Sequence, residues 1–144
     1  MWLLQQLTQL KFRSPLDNRN RYHRDMRTLV VKVIAGVSEP ERASQAFTVA
    51  ATALASGIKV SLWLTSEASL FALPGNCEEF VLAHSAPLHE LRDALLLSGT
   101  ITLCSQCAVR RGITEADLIP GIVIKGAASF VQEVMEDGVQ ALVY

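Results

Sequence analysis

Apolar positions along this chain follow two spacings, and their alternation predicts the fold. Thr28 to Ala35 (TLVVKVIA) is a nearly unbroken run of β-formers, the pattern of a strand covered on both faces. Gly36 and Val37 turn the chain, and Ser38-Glu-Pro-Glu41 reads as a helix start, with Ser38 as N-cap, Pro40 in the first turn and Glu41 closing a capping box. Ala43, Ala46, Phe47, Ala50 and Leu54 then recur at helical spacing, a small-residue face able to lie close against a sheet, until Gly57. Ile58 to Leu64 (IKVSLWL) is a second strand, which completes a βαβ unit and makes the sheet at least partly parallel.

The same alternation continues. Ser66 to Leu73 suits a short helix or turn stopped by Pro74-Gly75-Asn76, and the stretch from Cys77 to Ser85 reads as a surface loop. Pro87 opens a helix from Leu88 to Ser98 with Leu88, Leu91 and Leu95 inward and Gly99 at its end. Thr100 to Leu103 is a third strand leading into Cys104, and Ser105 to Arg111 a short helix closed by Gly112. Thr114 caps a helical turn, Ile122 to Ile124 is a fourth strand, and Gly126 starts a helix with Phe130, Val131 and Val134 on its apolar side. After Gly138, Val139 to Val143 is the last strand. The expected architecture is an α/β three-layer sandwich with a mainly parallel sheet of about five strands.

Composition refines this picture. The chain has 144 residues, of which 50% are hydrophobic and 19% charged, enough for a single domain with its own core. No apolar stretch approaches the about 18 residues of a membrane span. The net charge of −1 is unevenly placed: residues 11–27 carry six Lys/Arg and two Asp, the remainder seven and twelve acids. With Pro15, Asp17, Asn18 and Asn20 breaking any helix begun by Leu3, Leu4, Leu7 and Leu10, residues 1–27 read as a basic, flexible extension ahead of one domain over residues 28–144. The overall charge gives no reason to expect nucleic acid.

The chemistry sits in Ile101-Thr-Leu-Cys-Ser-Gln-Cys-Ala-Val-Arg-Arg-Gly112. Cys104 falls at a strand end just before a helix N-terminus, and Cys107 follows one turn later. Free N–H groups and the helix dipole favour an anion there, so a thiol in that position loses its proton more readily. Arg110 and Arg111 add positive potential that would steer an anionic sulfur donor. In a parallel sheet, reactive groups gather outside the carboxyl ends of the strands, which is where Cys104 falls. An odd count of three cysteines argues against a disulfide scaffold and for reduced thiols in the cytoplasm.

This stretch resembles the DsrE/DsrF-like family, which includes TusD-type sulfur-relay subunits. The likeness runs from about Thr28 to Tyr144, and its specific part is a strand-end cysteine followed six residues on by Arg-Arg-Gly, here Cys104 with Arg110, Arg111 and Gly112. The resemblance implies that Cys104 carries sulfur as a persulfide and hands it to the thiol of a partner protein. It also implies a flavodoxin-like variant of the fold and a homo- or hetero-oligomer such as a trimer or hexamer. Cys107 has a counterpart only in some members, and residues 1–27 have none.

The residues leave other readings open. Cys104 and Cys107 suit a dithiol redox pair, although a thioredoxin-like motif usually sits at the first helix of its fold. A zinc site would need two further ligands, and Cys77, His84 and His89 match no standard spacing. Both cysteines also suit small buried hydrophobes in a non-catalytic oligomeric scaffold. His84 and His89 read as surface histidines and Cys77 as a bystander. No Gly-rich loop supports a nucleotide, and Gly36-Val-Ser-Glu-Pro-Glu41 sets glutamates where a flavin phosphate would lie. No cofactor and no metal is therefore expected.

Overall fold

The computed structural model describes residues 28–144, so the basic extension expected over residues 1–27 lies outside the described residues. Five strands, β1 (Thr28–Val33), β2 (Lys59–Leu64), β3 (Thr100–Cys104), β4 (Ile122–Lys125) and β5 (Val139–Val143), form one sheet in the order β4-β3-β2-β1-β5. Every neighbouring pair is parallel. The chain connects them through α1 (Pro40–Ala55), α2 (Leu88–Ser98), α3 (Ser105–Arg111) and α4 (Ala127–Val134). A 3-10 segment, Ser66–Ala72, follows β2, and a 3-10 turn, Glu115–Asp117, precedes β4.

This order dictates the layers. From β1 to β4 each strand lies beside the one before it, always on the same side, so right-handed crossovers place the intervening helices on one face. The step from β4 to β5 returns across the whole sheet and puts α4 on the other. The side chains agree. Val31, Val33, Leu62, Leu64, Ile101 and Leu103 point into one core with Ala43, Phe47 and Ala50 of α1, Leu95 of α2 and Ala108 of α3. Their strand neighbours face α4, where the Trp63 indole donates to Glu133 Oε2 (2.8 Å) and stands edge-on to Phe130 at 5.3 Å.

One short helix cannot cover that second face. Eight residues span about 12 Å, whereas five strands are about 19 Å across. A groove of about 520 Å³ remains between α4 and the β2–β4 surface, lined by Trp63, Thr102, Lys125, Gln132 and Glu133 among others. Phe130 packs inward as expected, but Val131 is 56% exposed: it sits about 100° round the helix from Phe130, beyond the reach of the sheet.

Two local expectations change. Ser38 caps nothing: Glu39 takes the N-cap position of α1 without a side-chain bond, and Pro40 begins the helix. The Ser38 N–H and hydroxyl donate instead to the two carboxylate oxygens of Glu67, which follows β2. That clamp ties together the chain ends leaving β1 and β2, and a Cβ at Gly36 would collide with the Glu67 side chain. The loop after Pro74 is also anchored. Cys77 is fully buried, and Arg92 of α2, itself buried, reaches Glu78 and Asp93, both at 2.8 Å.

The Arg92 contact has a pH signature. The guanidinium's hydrogen bond lowers the Glu78 carboxyl from 4.5 to about 2. A carboxyl depressed in the folded state contributes stability that is present above its unfolded value and lost as pH falls through the folded one. Glu78 is exposed, so solvent screening keeps the effect modest. Urea midpoints measured from about pH 5 down to about pH 2 should fall less steeply for Glu78→Gln than for wild type; equal slopes would remove the pair from the acid response.

Candidate functional site

All five strands run the same way, so the segments leaving β1, β2, β3 and β4 open at one edge of the sheet. Cys104 is the last residue of β3 and the N-cap of α3, with φ −62° and ψ 125°. Its register partner across β4 is Lys125, which places a cation on the adjoining strand and the same sheet face. Cys107 lies on the first turn of α3, 7% exposed, against the 3-10 segment that follows β2. Gly112 ends α3 in the left-handed region, φ 63°, which a glycine adopts without steric cost. The chain turns there so that Ile113 re-enters the core.

The contacts around the two thiols differ. The Ser66 N–H donates to Cys107 Sγ at 3.2 Å. Burial of that sulfur opposes charge, but the Ser66 N–H, the Cys104 thiol, the Ser69 hydroxyl and the positive charge of Arg111 outweigh it, and the Cys107 thiol is lowered. The lowered thiol at Cys107 owes much to donors from the segment after β2, which the spacing around Cys104 does not reveal. Cys104 is the more open of the two, half-buried where Cys107 is buried. Arg111 also reaches back to the Cys107 carbonyl at 3.5 Å, whereas Arg110 points outward and is exposed beside Ser105, Gln106 and Val109.

Ser66 is unusual in its backbone. Its φ of 50° is in the left-handed region, which costs a residue with a side chain about 1–2 kcal/mol. A hydrogen bond to a neutral acceptor contributes about 0.5–1.5 kcal/mol and one to a charged acceptor about 1.5–3 kcal/mol. The Ser66 N–H bond to Cys107 Sγ is one of the contacts that hold this conformation.

The remaining candidates lie apart. Cys77 sits in the core with its thiol turned to the Phe71 carbonyl (3.7 Å), and burial pushes it up to about 11. His84 is exposed, and no hydrogen bond among the described residues joins His84 or His89 to a cysteine. No group of three or more metal-binding side chains gathers among the described residues. Among them, too, no helix is long and apolar enough to cross a membrane. Sequence reasoning passed over Ser66, Ser69 and Lys125. The available signal was positional: Ser66 and Lys125 stand at the carboxyl ends of β2 and β4, the same edge that drew attention to Cys104.

These features define a small, wholly parallel α/β protein bearing two neighbouring thiols where the third strand gives way to a helix. The chain belongs to the DsrE/DsrF-like family, whose model matches residues 29–143. It is 30% identical over 106 residues to an uncharacterized protein of Methanocaldococcus jannaschii; the match takes in 73% of this chain but 38% of that protein. The fold is similar to the crystal structure of the YchN protein from E. coli, with a TM-score of 0.68 and 20% identity over 83% of this chain and all of that one. It is also similar to MTH1491 from Methanobacterium thermoautotrophicum, with a TM-score of 0.60 and 11% identity over 81% and 98% of the two chains.

The differing burial of the cysteines sets an order of reaction. A limiting amount of a small alkylating reagent at neutral pH should label Cys104 first and leave Cys77 unlabelled until the protein is unfolded, as read from peptide masses. Labelling of Cys77 at the rate of Cys104 in the folded protein would contradict the packing described.

Proposed function

We propose that this protein is a cytoplasmic sulfur carrier in which Cys104 accepts sulfane sulfur as a persulfide and passes it to the thiol of a partner protein. The observation that carries this reading is the pairing of an accessible thiol at a strand end with a neighbouring buried thiol held by hydrogen-bond donors. The Cys104 sulfur attacks the outer sulfur of a persulfide or thiosulfate. The donor's S–S bond breaks, its electron pair leaves with the departing thiolate or sulfite, and the new S–S bond is on Cys104. The Cys104 proton passes to Cys107, so no oxidant or reductant is consumed. An acceptor thiolate then takes the outer sulfur in the reverse sense. Without an acceptor, Cys107 attacks Cys104 Sγ, closes a disulfide and releases the cargo as hydrosulfide. Arg110, exposed on α3, and Arg111 would draw an anionic donor toward this edge.

Intact-mass analysis after incubation with thiosulfate or polysulfide tests the reading. Wild type should gain about 32 Da per sulfur atom, Cys107→Ser should hold the adduct at least as long, and Cys104→Ser should form none. Uptake by Cys104→Ser at the wild-type rate would sink the assignment. A loss of about 2 Da with no adduct at any time would favour a dithiol redox pair instead.

The same reading takes the protein as an oligomer, a trimer or hexamer. Its support is the apolar surface left by Val131 and Met135 of α4 and Leu142 and Val143 of β5, all more than a third exposed. Sedimentation at micromolar concentration should show an assembly; a monomer would count against it.

A further inference from the structure

The segment after β2 carries two serines three residues apart. Both belong to the seven-residue segment that packs against α3. Ser66 presents its N–H to Cys107 Sγ from a strained backbone. Ser69 is 0% exposed, and its hydroxyl has no hydrogen-bond partner among the described residues. A buried hydroxyl without a partner costs about 1–3 kcal/mol, so a structure that keeps one usually has a use for it. A neutral thiol is a poor acceptor, but a thiolate is a good one. Charge on Cys107 therefore satisfies Ser69 and draws a stronger bond from Ser66.

We propose that Ser66 and Ser69 form a two-donor cradle that holds Cys107 as the negatively charged member of the cysteine pair, which makes Ser69 a positioning residue for sulfur transfer at Cys104. This rests on the carrier reading above and assigns the proton within it. The Cys104 thiol donates a hydrogen bond to the Cys107 sulfur. As Cys104 attacks the donor, that proton moves fully to Cys107, the donor S–S bond breaks, and the leaving group departs with the bonding electron pair. Cys107 is thus the base of the step, and the cradle sets how much base is present at a given pH. The lowered proton affinity of Cys107 is consistent with this.

Other charges around Cys107 do not replace the cradle. On its own helix, Arg111 lies close and Arg110 points to solvent. From β4, Lys125 stands opposite Cys104, and β3 contributes no charge beyond the Cys104 thiol. From the 3-10 segment, the Glu67 carboxylate is engaged by Ser38.

The test is a thiolate ultraviolet-absorbance titration of the full chain, run with wild type, Ser69→Ala and Ser66→Gly, alongside thiosulfate loading followed by mass across the same pH range. Ser69→Ala should raise the midpoint of the first thiolate step by about one pH unit and slow loading near neutral pH about tenfold, with the rate recovered at higher pH. Its thermal midpoint should not fall, because the lost hydroxyl had no neutral partner. Ser66→Gly keeps the N–H and should titrate like wild type. An unmoved midpoint in Ser69→Ala overturns the cradle, whatever the loading shows. A raised midpoint in Ser69→Ala, with no protein taking up sulfur at any pH, leaves the cradle standing and removes the carrier reading.

Discussion

Everything at the cysteine edge depends on the parallel run of the strands. With β1 to β5 all pointing one way, the residues that leave β1, β2, β3 and β4 must converge, although Ser38, Ser66, Cys104 and Lys125 are far apart in the chain. An antiparallel strand among β1 to β4 would send one of these turns to the opposite edge. The clamp from Ser38 to Glu67 is a product of that convergence, and so is the contact of Ser66 with Cys107. The first holds the β2 end in place, and the second uses it.

Three cysteines in one small domain meet three different environments, and at two of them burial and nearby donors pull the thiol in opposite directions. Cys77 and Cys107 are both buried, yet burial raises the first while the second is lowered. The charge and hydrogen bond of Arg92 pull the Cys77 thiol down, but burial outweighs both. Cys107 instead has an N–H aimed at its sulfur. At Cys107 that hydrogen bond, with the other donors and the Arg111 charge, outweighs burial.

Periodicity made most of the fold legible. The runs TLVVKV and KVSLWL are β-branched and apolar at nearly every position because both of their faces are covered, and they appear as central strands β1 and β2. The helix and strand from Gly126 onward were equally legible as elements, but their burial was not. Val131 looks inward by spacing and is exposed because α4 has no neighbouring helix on its face. Ser38 looks like a cap, and no local rule announces that Glu67, 29 residues later, takes its hydrogen bonds. Cys104, Cys107 and Arg111 were visible through their spacing around one strand end. Ser66, Ser69 and Lys125 were not, since serine after a strand is ordinary turn chemistry and their meaning arises only when β2 and β4 flank β3.

The uneven cover of the two sheet faces bears on how the protein is made. Among the described residues, the last buried one is Ile122, at 7% exposed. A chain synthesised from its N-terminus therefore has its whole buried core, and both members of the cysteine pair, before α4 and β5 emerge. Until then Val30 and Trp63, which end 0% and 2% exposed, face water on the uncovered side. The nascent protein would present a formed thiol edge on one flank and a bare apolar strip on another. The final 22 residues serve less to build the core than to close that strip.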